Sequence, residues 1–204
     1  MFNRISINDT ANGPGIRVVV WFQGCPHHCR GCHNPQTWNP NQGKPLSQEV
    51  IDKVLDALDK PYVRGLTLSG GDPLSATNII EANSLADQFR KRFSYTKDLW
   101  IWTGYLFEEF TWDENGGIDS HPCVQKADVV VDGKFDITKK DISLPYSGSS
   151  NQRVINIRES FYQNRVVLWQ EDCLNTPKKN LLQRCLSGVQ KVQQAMTSML
   201  SKKR

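Results

Sequence analysis

The chain has 204 residues, of which 38% are hydrophobic and 23% are charged, and its formal net charge is +4. This length fits one domain with a buried core and a small appendage, and this composition excludes a disordered chain. The small net charge gives no reason to expect nucleic-acid binding, and because we find neither a signal-peptide core nor a run of ~20 apolar residues, we expect a cytoplasmic protein that spans no membrane.

Five short apolar runs predict buried strands, because each is bounded by Gly, Asp, Asn or Ser. In chain order they are residues 16–22, 65–69, 99–103, 127–132 and 153–157. Between them, apolar residues at helical spacing predict one helix capped by Ser47 and another capped by Thr77. The apolar stripe of the first helix is Ile51, Val54, Leu55 and Leu58, and that of the second is Ile79, Ala82, Ala86, Phe89 and Phe93. This alternation predicts a mostly parallel α/β sheet that binds ligands at the carboxyl ends of its strands.

The character of the chain changes near residue 160, after the last predicted strand. We expect a main domain at residues 1–159 and a helical C-terminal extension at residues 160–204. Apolar residues three and four apart form one stripe on a helix from about residue 179 to residue 200. They are Leu182, Cys185, Val189, Val192, Met196 and Met199. The stripe favours a helix that covers an open edge of the sheet, and a partner-binding helix is the alternative.

Three of the six cysteines crowd together directly after the first predicted strand. They are Cys25, Cys29 and Cys32, with the spacing C-x3-C-x2-C. Three thiolates on one short loop can bind three corners of a [4Fe–4S] cluster and leave the fourth iron open to a ligand. Zinc is the alternative, because Cys3His sites are common and three histidines lie within or beside the loop. These are His27, His28 and His33.

A second candidate segment, Ser69-Gly70-Gly71-Asp72-Pro73, follows the next predicted strand. Its two glycines expose backbone N–H and C=O groups where a ligand of a parallel sheet binds. On its own, this pattern is more often a plain turn than a binding segment. Its position relative to the cysteine loop favours a binding role.

The two segments, with Asn12-Gly13-Pro14-Gly15-Ile16-Arg17 before them, resemble the radical S-adenosylmethionine (SAM) superfamily and, within it, the glycyl-radical-activating enzymes. Three further motifs resemble the activators of anaerobic ribonucleoside-triphosphate reductase. They are Trp-Ile-Trp-Thr-Gly-Tyr at 100–105, Asp-Val-Val-Val-Asp-Gly-Lys-Phe at 128–135 and Gly-Ser-Ser-Asn-Gln-Arg at 148–153. The resemblance extends from about residue 3 to residue 157, with the motifs in the same order.

The resemblance implies a partial (βα) barrel of the radical SAM type, with one [4Fe–4S] cluster per chain and SAM bound at its open iron. An electron from a donor such as a flavodoxin-type protein would cleave SAM, and the resulting radical would remove hydrogen from a glycine of the partner reductase. No side chain is expected to act as the catalyst, because the radical comes from the cofactor.

The resemblance also assigns roles to individual residues of this chain. The expected cluster ligands are Cys25, Cys29 and Cys32. The residues expected to line the SAM site are Gly31, Cys32 and His33, and those expected to hold the methionine ammonium are Gly70, Gly71 and Asp72. Two positions depart from the family pattern. His33 replaces the usual aromatic residue but is planar and can stack, and Ser147 replaces the usual Arg.

Two alternative functions stay open at this point. One is an activase of another glycyl-radical enzyme, of the formate-lyase type. The motifs at 100–105 and 148–153 disfavour this alternative. The other is a zinc-binding interaction module. A colourless protein is expected for zinc, and a brown one for a [4Fe–4S] cluster.

Overall fold

The computed structural model describes residues 1–109 and 122–170. Its strands are β1 (Phe2–Asp9), β2 (Ile16–Phe22), β3 (Val63–Gly70), β4 (Asp98–Trp102), β5 (Val129–Asp132) and β6 (Arg153–Asn156). Its α-helices are α1 (Gln48–Leu58), α2 (Ile79–Phe93), α3 (Pro122–Lys126) and α4 (Ile157–Gln163). Among these residues, no helix is both long enough and apolar enough to cross a membrane.

The six strands form one mixed sheet in the order β1-β2-β3-β4-β5-β6. Neighbours from β2 to β5 are parallel, whereas β1 and β6 pair antiparallel with β2 and β5. The expected α/β architecture is therefore confirmed, and all five predicted strands are present. The sheet is open, with β1 and β6 as its two edges.

The edge strand β1 is absent from the sequence prediction. It pairs with β2 in a register that runs from Phe2 opposite Phe22 to Asp9 opposite Arg17. Polar residues interrupt its apolar ones, and most of its side chains are at least partly exposed, as at Ile7. A half-exposed edge strand lacks the continuous apolar run by which the buried strands were found.

The helices α1 and α2 pack on one face of the sheet. The buried side chains of α1 are Ile51, Val54, Leu55 and Leu58, as its stripe predicted. Of the α2 stripe, Ala82, Ala86, Phe89 and Phe93 are buried and Ile79 is partly buried against the core, and Leu85 joins it. The predicted cap at Thr77 is wrong, because α2 begins at Ile79 and the residue before it is Asn78. The buried Asn78 amide donates instead to the carbonyls of Gly24 and Asp72, which ties the start of α2 to the strand ends.

The opposite face of the sheet carries a cluster of aromatic rings around Trp100, which is completely buried. Trp102 stacks on it at a centroid distance of 5.5 Å, and Tyr146 and Trp169 meet it edge-on at 5.1 and 5.0 Å. Trp169 reaches this face because its N–H donates to the carbonyl of Val154 in β6. The predicted helix at 179–200 lies outside the described residues, and the predicted boundary at residue 160 stays a prediction.

A buried arginine lies on the same face, beside the aromatic cluster. The Arg17 guanidinium donates to the Thr67 hydroxyl at 2.7 Å and forms an ion pair with Asp98 at 2.5 Å. Burial lowers the pKa of Arg17, and the Asp98 charge opposes that shift. Arg17 also donates to the carbonyl of Pro14, so that it holds the loop before β2.

We predict that Asp98→Ala lowers the free energy of unfolding by roughly 3–5 kcal/mol, because it leaves a buried guanidinium without its counter-ion. Chemical denaturation measures the change. The control is Glu49→Ala, which removes an exposed pair with Lys53 and leaves the free energy of unfolding nearly unchanged. If both substitutions changed the free energy of unfolding equally, the buried pair would contribute no more to stability than the exposed one.

Candidate functional site

The carboxyl ends of the parallel strands open onto a cleft of about 480 Å³. Its lining includes every residue predicted for the site except Gly31: Cys25, Cys29, Cys32, His33, Gly70, Gly71 and Asp72. Ala11, Trp102, Tyr146 and Gln152 contribute other parts of the wall. Gly31 is not part of this lining, and a Cβ at that position would lie 2.9 Å from the side chain of Ile137.

The cysteine loop is held by backbone hydrogen bonds at its base. Gly24 N–H donates to the carbonyl of Thr37 at 2.7 Å, and Cys25 N–H donates to that of Trp38 at 3.2 Å. Within the loop, Cys32 N–H donates to the Cys29 carbonyl at 3.1 Å. Residues with positive φ at Gly24 (100°), His28 (46°) and Gly31 (76°) let the chain fold back tightly enough to bring three cysteines to one wall.

The three thiols of the loop are unpaired and partly exposed. Burial raises the pKa of Cys25 to about 11, although N–H groups of His27 and His28 act in the opposite direction. Burial also raises the pKa of Cys29, and an N–H group of Phe135 opposes it. Asn34 N–H lies 3.3 Å from the Cys32 sulfur. A bound metal replaces the thiol protons, and backbone N–H groups directed at sulfur then stabilise the thiolates.

The neighbouring histidines each have a different partner. Nε2 of His27 lies 2.7 Å from a carboxylate oxygen of Asp72. The ring of His28 packs against Trp38 at 4.9 Å, and that of His33 against Phe135 at 5.7 Å. Three sulfur atoms line the cleft together with His27 and His33, and both of these imidazoles already contact other side chains. This arrangement favours a three-cysteine iron–sulfur cluster over a Cys3His zinc site.

Gly70, the last residue of β3, and Gly71, which follows it, pack directly on the end of β2 and the residues just after it. A Cβ on Gly70 would lie 2.7 Å from the nitrogen of Phe22, and one on Gly71 would lie 2.5 Å from the carbonyl oxygen of Gly24. Gly70 also has φ of 99°, which favours glycine. This backbone-to-backbone contact fixes the Gly70–Gly71 edge against the start of the cysteine loop.

The carboxylate of Asp72 is buried and accepts hydrogen bonds from several parts of the chain. One oxygen accepts from Leu74 N–H and the other from Gly104 N–H, both at 2.9 Å. The Thr103 hydroxyl lies 3.0 Å from each oxygen, and His27 completes the set. Asp72 thus connects the loops that follow β2, β3 and β4.

The far wall of the cleft comes from the segments around β5 and β6. The Gln152 side chain donates to the Gly133 carbonyl and accepts from Gly148 N–H, both at 2.9 Å. Trp102 Nε1 donates to the Tyr146 carbonyl at 3.0 Å. These bonds hold residues 133–152 over the aromatic floor, and Ser147 lies in this wall.

Comparison with known proteins agrees with this geometry. The family described as "4Fe-4S single cluster domain" matches residues 11–155. The anaerobic ribonucleoside-triphosphate reductase-activating protein of Enterobacteria phage T4 is 36% identical over 84% of this chain and 99% of its own length. The chain belongs to this family of reductase-activating proteins. The members from Escherichia coli K12 and Vibrio cholerae are 38% and 37% identical, over 74% and 71% of this chain and 94% and 90% of their own.

Sequence reasoning missed the contacts that join the loops of this iron–sulfur protein. His27 was considered only as a zinc ligand, and Thr103 and Gly104 only as part of a family motif. No local pattern reveals that these residues meet Asp72, which is 45 positions from His27 and 31 from Thr103. The parallel pairing of β2, β3 and β4 brings them together.

We predict that Gly71→Ala lowers the iron content after anaerobic reconstitution, because the new Cβ would displace the Gly24 carbonyl next to Cys25. Iron and protein assays on the purified variant measure the effect. The control is Gly133→Ala, which also alters the cleft wall. Its φ of 92° strains the backbone of Ala, but its Cβ would meet no atom closer than 3.6 Å, so it separates backbone strain from collision. Wild-type iron content in Gly71→Ala would mean that the loop does not depend on this contact.

Proposed function

We propose that this chain activates anaerobic ribonucleoside-triphosphate reductase by using a [4Fe–4S] cluster and SAM to generate a glycyl radical on that partner. The observation that carries the proposal is the meeting of three thiols with a glycine edge in one cleft, at the carboxyl ends of parallel strands, in a chain of this family. A cleft of about 480 Å³ is also large enough for a ligand the size of SAM.

Each part of the cleft has a separate task in this proposal. Cys25, Cys29 and Cys32 would hold three irons, and the backbone of Gly70 and Gly71 would bind the methionine end of SAM. When bound, the two cofactors supply a 5′-deoxyadenosyl radical that takes a hydrogen atom from the partner's glycine.

The chain's own side chains orient the ligand and exclude water. Trp102 and Tyr146 would form an apolar floor beside the ligand, and the segment that Gln152 holds would form one wall around it. His33 is exposed at the edge of the cleft, where its planar ring can stack on a base. A reactive carbon radical requires such shielding from solvent.

We further infer that the open sheet is the partial barrel of the radical SAM type. Four parallel strands with helices on one face and the site at their carboxyl ends support this assignment. The reaction also needs an external electron, for which a flavodoxin-type protein is the expected donor. The unpaired cysteines of the described residues are consistent with action in the reducing cytoplasm.

The family match favours this function over both alternatives. A zinc-binding module would not be expected to match a 4Fe-4S domain over residues 11–155. An activase of the formate-lyase type is disfavoured, because the relatives over most of the chain are named as reductase activators.

We predict that replacing Cys25, Cys29 or Cys32 singly with Ala removes most cluster iron and abolishes the reductive cleavage of SAM, because the cube is left with two protein anchors. Iron assay and quantitation of 5′-deoxyadenosine measure the losses. The control is Cys123→Ala, since Cys123 is buried away from the cleft and should not bind iron. A variant of the loop that kept wild-type iron and cleavage would remove its cysteine from the ligand set.

The activity itself is tested by mixing the reconstituted chain anaerobically with its cognate reductase, SAM and a reductant. We predict an electron paramagnetic resonance doublet of a glycyl radical on the reductase and silence on a formate-lyase-type partner. SAM cleavage without the doublet on the reductase would leave the cofactor chemistry standing and reject the target.

A further inference from the structure

His27 is a side chain of the cysteine loop that reaches across to another loop through a hydrogen bond. It lies between Cys25 and Cys29, yet its side chain is only 5% exposed and is directed at Asp72, whose side chain is 1% exposed. The 2.7 Å contact therefore joins the expected cluster loop to the residue that follows the Gly70–Gly71 edge.

The surroundings of the imidazole are shaped to hold it in this orientation. A Cβ on Gly104 would lie 2.3 Å from the His27 ring, so only glycine leaves room for it. On another side, Tyr105 meets the ring edge-on at a centroid distance of 4.5 Å. The ring thus has a fitted site between the loops after β3 and β4.

The other contacts of Asp72 explain why the bond from His27 fixes the position of the cysteine loop. Its two oxygens already accept from Leu74, Thr103 and Gly104, so the carboxylate is fixed relative to the ends of β3 and β4. A carboxylate has about four lone-pair sites, and these donors together with His27 occupy them. The Asp72 side chain is therefore engaged by protein donors, and its carbonyl also accepts from the Ser75 hydroxyl and the Asn78 amide, both at 2.9 Å. The backbone of Gly70 and Gly71 is thus the part of this segment left to hold the methionine ammonium.

We infer that His27 is a positioning residue: through Asp72 it sets the cysteine loop relative to the Gly70–Gly71 edge, and hence the cluster relative to SAM. The inference rests on the proposed function. Backbone bonds at Gly24 and Cys25 hold the base of the loop without His27, so the three cysteines can still bind iron when His27 is replaced. The backbone contact between Gly71 and Gly24 also stays, so what is lost is the alignment of the part of the loop beyond Cys25 with the SAM-binding edge.

The test uses anaerobically reconstituted protein with His27→Ala, His27→Gln and the control His28→Asn. His28 belongs to the same loop but is exposed and packs on Trp38, and Asn tolerates its positive φ. Iron content, the SAM dissociation constant and the change that SAM causes in the electron paramagnetic resonance spectrum of the reduced cluster are measured for each variant.

For His27→Ala we expect wild-type iron content, a SAM dissociation constant raised on the order of tenfold and a weaker spectral change on adding SAM. His27→Gln, whose amide can still donate to Asp72, should recover part of the affinity, and His28→Asn should match the wild type. In the double variant Asp72→Asn, His27→Ala, the SAM dissociation constant should rise by less than the product of the two single-variant increases. The reason is that both substitutions break the same contact.

The outcomes separate this inference from the proposed function. Unchanged SAM affinity and spectrum in His27→Ala would overturn the positioning role and leave the proposed function intact. Loss of iron in His27→Ala, with the cysteines in place, would also overturn it, because His27 would then be needed for the cluster itself. If the wild-type chain held a cluster but bound no SAM, the proposed function would fail as well.

Discussion

The geometry of the cleft depends on one buried carboxylate. Asp72 is almost completely removed from solvent, and a buried carboxylate is tolerated only when hydrogen bonds replace its hydration. Its donors come from the loops after β2, β3 and β4, so satisfying one side chain requires all three loops to take up their positions together. Glycines at positions 71 and 104 permit this, because a Cβ at either would collide with the cysteine loop.

A second buried charge, that of Arg17, also joins separate segments through hydrogen bonds. It lies on the sheet face near the loop before β2. Arg17 binds the carbonyl of Pro14 and the hydroxyl of Thr67, and that hydroxyl in turn donates to the carbonyl of Asn12. Asn12 lines the cleft, so the buried guanidinium connects the sheet to the cleft wall. The opposite wall is fixed through Gln152. The floor and walls are thus held by polar contacts to residues in or next to the strands.

The sequence predicts the parts of the structure that have a local signal. Continuous apolar runs identified β2 to β6, and helical spacing identified the buried stripe of α1, because burial on one or both faces leaves a periodic pattern. The strand β1 lacks such a pattern, and the cap at Thr77 was wrong because the Asn78 side chain turns toward Gly24. The cysteine loop was likewise visible from its spacing. The bond between His27 and Asp72 was not, since it depends on the register between β2 and β3.

The central claim is that one polar contact network holds a three-cysteine cluster beside a glycine edge that binds SAM. An anaerobic crystal structure of the reconstituted chain with SAM, with anomalous data collected at the iron absorption edge, tests it most directly. The account predicts a cluster of four irons, three of them bound by the sulfur atoms of Cys25, Cys29 and Cys32. It also predicts SAM against Gly70 and Gly71, and His27 still bonded to Asp72. A single metal ion bound by the cysteines and His27, with the imidazole turned away from Asp72, would contradict it.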